Sequence, residues 1–338
     1  MAPVLSVVDL TVSFSQPNGS ICAVREVSLA VAARECVGIV GESGSGKTQA
    51  FMAAMGLLAA NAAVDGCVRF EGEELLELDR ERLNRIRGAK LAMIFQDPMS
   101  SLTPHLKIGT QLAEVLVCHA GQSWHEARLA ARRMLERVRV PEPERRLNQY
   151  PHELSGGLRQ RVMIGMSLLC DPKLVIADEP TTALDVTVQA QIMDLLRAMR
   201  REFGMALVLI SHDLGVVANL CDRILVMYAG RIVESAATLE LLQHARHPYT
   251  AELLKCIPSL SGPPLERLPT LAGQPPQPGE TIAACAFAPR CTRAAARCWT
   301  ERPLLEDSGT ADVRSQAPGG AARAGEARQV ACHFPLPQ

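Results

Sequence analysis

The stretch Gly41-Glu42-Ser43-Gly44-Ser45-Gly46-Lys47-Thr48 decides how this chain folds. It has the spacing G-x-x-x-x-G-K-[ST]. An apolar run from Cys36 to Val40 precedes it, and the helix-forming residues Gln49 to Leu58 follow. A chain that turns from a buried strand into a helix through glycines aims successive backbone N–H groups at a phosphate, and the helix N-terminus adds partial positive charge. In that arrangement Lys47 reaches the β- and γ-phosphates and the Thr48 hydroxyl holds Mg²⁺. A glycine-rich turn with a chance lysine is the rival reading, and the strand–loop–helix context disfavours it. The stretch reads as a nucleotide phosphate site in an α/β fold.

The composition agrees with a large soluble core. The chain has 338 residues, long enough for two domains, with 48% hydrophobic and 21% charged residues. A formal charge of −1 leaves no bulk basic footprint for nucleic acid. The longest apolar run, Ala50 to Ala60, is shorter than the roughly 20 residues a bilayer span needs. Met1-Ala2-Pro3-Val4 lacks the pattern of a signal peptide. The expectation is a cytoplasmic, reducing location, where the eleven cysteines are thiols or metal ligands and not disulfides.

On the N-terminal side of the loop, Leu5 to Phe14 and Ile21 to Val31 read as strands flanking the turn Pro17-Asn18-Gly19-Ser20, an antiparallel hairpin. Phe14 stands at a strand end, as core or as a platform for a base. On the C-terminal side, Gly66 to Phe70 reads as an edge strand and Leu91 to Phe95 as a short buried strand ending at Gln96. From Asp97 to about Tyr150 the spacing turns helical, with Gly109 to His119 and Trp124 to Val140 apolar at every third and fourth residue.

Leu154-Ser155-Gly156-Gly157 opens the next helix, which runs to about Leu169, with Ser155 as N-cap. Two glycines just inside a helix are costly and make sense where a ligand approaches the backbone. Leu174 to Ala177 is a fully apolar strand that ends in Asp178-Glu179-Pro180. Acids at the carboxyl end of a buried strand sit where open α/β sheets bind ligands, Asp178 for Mg²⁺ and Glu179 for polarising a water. Val186 to Phe203 is amphipathic, with Ile192, Leu195, Leu196 and Met199 on one face. Ala206 to Ile210 delivers Ser211-His212-Asp213 to the same sheet edge, and Ile224 to Glu234 closes the sheet as a hairpin through Ala229-Gly230.

Together these pieces resemble the ATP-binding cassette of transporters over residues 4 to about 255. The phosphate loop is Gly41 to Thr48, the Q-loop glutamine Gln96, the signature Leu154-Ser155-Gly156-Gly157, the second acidic motif Leu174 to Asp178 followed by Glu179, the D-loop Ala183-Leu184-Asp185 and the switch histidine His212. The resemblance implies a RecA-like P-loop ATPase core with an antiparallel β subdomain and an inserted helical subdomain at about 97–167. It implies Glu179, His212 and Gln96 as catalytic residues, and Thr48, Gln96 and Asp178 around Mg²⁺. ATP would meet Phe14, Gly41, Ser43, Gly44, Ser45, Gly46, Lys47, Thr48 and Gln49 of one cassette. It would also meet Ser155, Gly156, Gly157 and Asp185 of a second cassette closed head to tail on the first.

Phe95 to Leu102, Tyr150 to Glu153, Pro180 to Gln189 and His247-Pro248-Tyr249-Thr250 narrow the resemblance to the oligopeptide/dipeptide importers. Thr103-Pro104 stands where Asn-Pro is common in that group. The implied function is ATP hydrolysis that powers peptide uptake at the cytoplasmic face of the inner membrane. The implied partners are a second ATPase subunit, two permease subunits and, indirectly, a solute-binding protein, with no nucleic acid. The same machinery importing nickel or another small solute is the nearer alternative; a soluble cassette ATPase acting on nucleic acid or the ribosome is the farther one. A redox sensor built on the tail is a third, opposed by the complete catalytic set.

Beyond residue 255 the composition shifts to a C-terminal extension, residues 256–338. Seven prolines between Pro258 and Pro278 rule out long regular elements. Cys285, Cys291 and Cys298 are separated by five and six residues, with Cys332 near the end, and Ser308 to Gln329 reads as a polar loop. Four thiols in a tail with a thin apolar core suggest a metal staple, either an iron–sulfur cluster or zinc, with unliganded thiols as the remaining alternative. The resemblance favours a [4Fe–4S] cluster, since the importer ATPases have a similar C-terminal cysteine pattern. The other cysteines (Cys22, Cys36, Cys67, Cys118, Cys170, Cys221, Cys256) read as core.

Overall fold

The computed structural model describes residues 2–17, 19–97, 101–182, 184–256, 271–277, 280, 282–307 and 328–337. Asn18, positions 98–100, Ala183, the prolines at 258, 263, 264, 269 and 278, and most of the expected polar loop (308–327) lie outside them. The chain divides into two compact units. One comprises Met1–Val4, Val31–Cys36 and Phe70–Ile210; the other comprises Leu5–Ala30, Val37–Arg69 and Ser211–Gln338.

The second of these carries the phosphate loop. Strand Leu5–Gln16 alternates buried and exposed residues, as a strand with one covered face does, and lies between Gly19–Val31 and Ala62–Phe70. Strand Cys36–Val40 is buried at every position and runs parallel to Arg223–Tyr228. Buried on both faces, it needs no polar alternation, which is why it reads as one apolar run. Arg223–Tyr228 turns back antiparallel into Arg231–Ala237 through Ala229 and Gly230, at φ 48° and 83°. Positive φ at both central residues matches the twist of a two-residue hairpin.

The extension joins this sheet. Gln329–Val330 pairs antiparallel with Ser235 and Glu234, and Glu306–Asp307 adds a further short strand. Phe287, Ala288, Cys298, Val330 and Ala331 are buried, and Phe287 packs with Tyr228, Tyr249 and His247 at ring-centroid distances of 5.4 to 5.9 Å. Arg328, 2% exposed, forms ion pairs with the fully buried Glu234 and with Glu240, both at 3.1 Å. The expectation that the tail has only a thin core is therefore corrected. Strand pairing, an aromatic cluster and a buried ion pair hold the described part of it.

The other unit carries the acidic strand and the helical insertion. Leu91–Ile94, Leu174–Asp178 and Ala206–Ser211 form parallel neighbours, all buried. Helices Ile108–Ala120 and Trp124–Arg137 pack together, joined through Gly121 in the left-handed region and a capping box in which Ser123 and Glu126 satisfy each other's backbone N–H groups. Helix Val186–Phe203 starts on Asp185, whose carboxylate accepts from the Val188 N–H at 2.9 Å, and stops on Gly204 at φ 62°. Its buried face is Ile192, Met193, Leu195, Leu196 and Met199, the expected stripe plus one residue. Burying each contributes about 2 kcal/mol against leaving it in water.

Of the seven cysteines read as core, only Cys36 and Cys221 are buried. Cys118 is exposed on helix Ile108–Ala120, because its position falls on the outer face of an amphipathic helix despite its apolar neighbours. No helix among the described residues is long and apolar enough to cross a membrane.

Candidate functional site

In the unit that holds the phosphate loop, strand Cys36–Val40 ends at Gly41 and helix Lys47–Ala54 begins after Gly46. Gly46 adopts φ 93°, and a Cβ there would come 2.3 Å from the Ala23 carbonyl oxygen, so only glycine fits. Ser45 and Lys47 are buried, Thr48 and Gln49 half-buried, and Ser43 and Gly44 exposed. Lys47 Nζ curls back over the loop and donates to the carbonyls of Gly41 at 2.7 Å and Glu42 at 2.8 Å. The ammonium thus ties the first two residues of the loop to the start of the helix. Phe14 is half-buried near the end of strand Leu5–Gln16. His212 is exposed, between Ser211 and Asp213, the latter capping the short helix Leu214–Ala218.

In the other unit, Asp178 is 3% exposed at the end of its strand. Glu179 follows at φ 44°, an unusual conformation for a residue with a side chain, fixed by its N–H donating to the Ile210 carbonyl at 2.9 Å. That turn lifts the Glu179 carboxylate off the strand. Its Oε2 accepts from Gln96 Nε2 at 3.0 Å and from the Thr182 hydroxyl at 2.8 Å. Gln96 and Glu179, far apart in sequence, are thereby brought together. Asp185 serves here as a helix cap. Thr182 is a participant that sequence reasoning passed over; its only signal was its place in Pro180-Thr181-Thr182.

Ser155 occupies the N-cap of helix Gly156–Leu168, but its side chain makes no capping hydrogen bond. Gly156 is exposed. A Cβ on Gly157 would stand 2.9 Å from Val188 Cγ1, so packing as well as ligand approach requires that glycine.

Cys285, Cys291, Cys298 and Cys332 line one pocket together with His247, Phe287 and Phe334. Burial pushes the Cys285 thiol up and the Cys332 thiol to about 11, with the neighbouring thiols adding to the shift. Among the described residues no group of three or more His, Cys, Asp or Glu could hold a metal ion. The expected metal-stapled tail is thus not supported by a metal site among the described residues, although four thiols line one pocket.

A family model described as "ABC transporter" matches residues 24–182, and one described as "Oligopeptide/dipeptide transporter, C-terminal region" matches residues 233–298. The oligopeptide transport ATP-binding protein OppD of Haemophilus influenzae is 51% identical over 298 residues, 88% of this chain and 92% of its own length. The protein of the same name from Escherichia coli strain K12 is 50% identical over 302 residues, 89% of each chain. The chain belongs to the ABC transporter family, in its oligopeptide/dipeptide branch. Among solved structures, the ATP-binding cassette MJ0796 in a dimeric, post-hydrolysis state bound to ADP and Pi is 28% identical with a TM-score of 0.62, covering 69% of this chain and 98% of its own. The cassette cbiO1 from Clostridium perfringens is 26% identical with a TM-score of 0.61, covering 72% and 92%. The α/β cassette fold expected from the motifs is the fold observed.

Proposed function

We propose that this chain is the ATP-hydrolysing subunit of a membrane importer for oligopeptides or dipeptides. The observation that carries this reading is the identity of about half the residues with oligopeptide transport ATP-binding proteins across nearly the whole chain, extension included. The cassette would comprise residues 1–255, with its helical subdomain at about 97–167, and the extension residues 256–338.

In this reading the backbone N–H groups of Gly41 to Thr48 cradle the ATP phosphates, Lys47 swings from its loop carbonyls to the β- and γ-phosphates, and Phe14 stacks on the base. Gln49, next to Thr48 on the same helix, completes the nucleotide-binding set. The Thr48 hydroxyl, Gln96 and the Asp178 carboxylate are oxygen donors suited to Mg²⁺, which would neutralise phosphate charge. Glu179 orients and deprotonates the attacking water, and His212 contacts the γ-phosphate end of the site. Ser155, Gly156 and Gly157, with Asp185, serve the nucleotide of a second cassette. The Ser155 side chain makes no capping hydrogen bond to its own helix, which supports that role. Two permease subunits at the cytoplasmic face of the membrane would turn closure of the pair into transport.

The test is reconstitution of the chain with its second cassette, permease subunits and peptide-loaded binding protein in vesicles. Peptide uptake that requires ATP and stops with Glu179→Gln is expected. Uptake of nickel but no peptide would replace the solute, and ATP-independent uptake would overturn the reading.

We infer further that the four convergent thiols are where a [4Fe–4S] cluster would be held, zinc being the alternative. All four thiols line one pocket, as the thiolate ligands of one cluster must. Anaerobically purified protein should then contain about four irons and labile sulfide per chain. One zinc and no iron would identify the other metal, and neither would refute the inference.

A further inference from the structure

Glu42, the second residue of the phosphate loop, is gripped by two residues that lie far beyond the loop in sequence. Its backbone N–H donates to the Tyr249 hydroxyl at 2.9 Å. Its carboxylate receives both arms of the Arg290 guanidinium, Nη1 to Oε2 at 2.7 Å and Nη2 to Oε1 at 2.9 Å. The Arg290 side chain is 3% exposed and that of Glu42 26%. Arg290 Nη1 also donates to the Tyr228 hydroxyl at 3.3 Å and Nε to the Ala272 carbonyl at 2.9 Å.

The extension presents Arg290 rigidly. A one-turn helix, Ala288–Arg290, is closed by the Arg290 N–H on the Phe287 carbonyl at 3.0 Å and the Cys291 N–H on the Ala288 carbonyl at 3.2 Å. Phe287 packs against Tyr228 and Tyr249, so the same aromatic wall positions both groups that hold Glu42. The guanidinium is held above its ordinary pKa, chiefly by the Glu42 carboxylate, so it stays charged at every working pH.

The electrostatics give this grip a purpose. A carboxylate in the loop that must receive a triphosphate is a like charge at close range. An unpaired carboxylate there would repel every unit of phosphate charge brought to the loop. A bidentate guanidinium cancels that charge and turns the carboxylate aside. We propose that Arg290 is a positioning residue for the nucleotide site: from the C-terminal extension it neutralises and orients Glu42, and so sets the charge and shape of the phosphate loop. This rests on the reading of Gly41 to Thr48 as the phosphate loop.

The test uses the full chain and equilibrium titration with ATP, with Arg290→Gln and Arg290→Lys to separate charge from packing. Arg290→Gln should weaken ATP binding about tenfold, Arg290→Lys, which keeps the charge but not the two-armed grip, should lose clearly less, and Glu42→Gln combined with Arg290→Gln should recover to within about threefold of the parent. Unfolding midpoints measured alongside show that each variant is folded at the assay temperature. The recovery is what packing alone cannot produce, since the double variant keeps the packing defect and loses only the unpaired charge. Parent-like affinity in Arg290→Gln, equal losses in Gln and Lys, or a double variant as weak as Arg290→Gln would each overturn the proposal. A parent chain that binds no ATP, or whose affinity Lys47→Ala leaves unchanged, would overturn the phosphate-loop reading beneath it.

Discussion

Gln96 donates from Nε2 to the Glu179 carboxylate at 3.0 Å, so the glutamine just beyond one buried strand is tied to the acid just beyond its neighbour. The bond forms because strands Leu91–Ile94 and Leu174–Asp178 run parallel in register, Ile94 beside Ala177, which brings their carboxyl ends to one edge. The same Glu179 oxygen accepts from Thr182. Two donors on one oxygen fix the carboxylate, and under the proposed role as base it would trade part of that hold for its water.

Replacing Glu179 by Gln should leave ATP binding intact and lower turnover by roughly 10²–10⁴-fold, the usual cost of removing a positioned base. Single-turnover hydrolysis in the assembled transporter is the measurement. Turnover near that of the parent would refute the assignment.

Thr182→Val removes one donor and keeps the shape. A hydrogen bond to a charged group contributes about 1.5–3 kcal/mol, so kcat should fall at least roughly tenfold while KM for ATP changes little. An unchanged kcat would mean that the hydroxyl does not orient the carboxylate.

Lys47→Ala should act on binding instead. It removes the charge proposed to meet the phosphates and the brace on the Gly41 and Glu42 carbonyls, and ATP affinity should fall roughly ten- to hundredfold. Equilibrium titration checks this, and a variant impaired only in turnover would contradict it.

Arg328→Ala should destabilise the phosphate-loop unit by about 3–5 kcal/mol, because it leaves Glu234 charged, fully buried and short of its partner. Glu234 would keep the backbone N–H groups of Arg246 and His247, at 2.8 and 2.9 Å. Denaturant unfolding followed by circular dichroism measures the loss. A change below about 1 kcal/mol would show that those N–H groups suffice for the carboxylate.

Local signals in the chain determined the cassette by themselves. A phosphate loop needs glycines at set positions, a strand buried on both faces must be continuously apolar, and a helix buried on one side must repeat every three to four residues. Each of these is written within a few consecutive residues, so Gly41 to Thr48, Leu174 to Glu179 and Val186 to Phe203 were legible without coordinates. The tail misled for the same reason. Its local composition shows prolines and cysteines but not that Gln329–Val330 joins the sheet or that Arg328 pairs with Glu234.

Tertiary structure alone decided which distant groups meet. Thr182 looked like one polar turn residue among several until the positive φ of Glu179 set its carboxylate against the hydroxyl. Arg290 lies 248 residues from Glu42, and no periodicity, spacing or composition links one arginine to one glutamate across that distance. Such pairs follow from strand register and from the packing of Phe287 on Tyr228 and Tyr249. Register and packing are properties of the whole unit, so they exist only once it has folded.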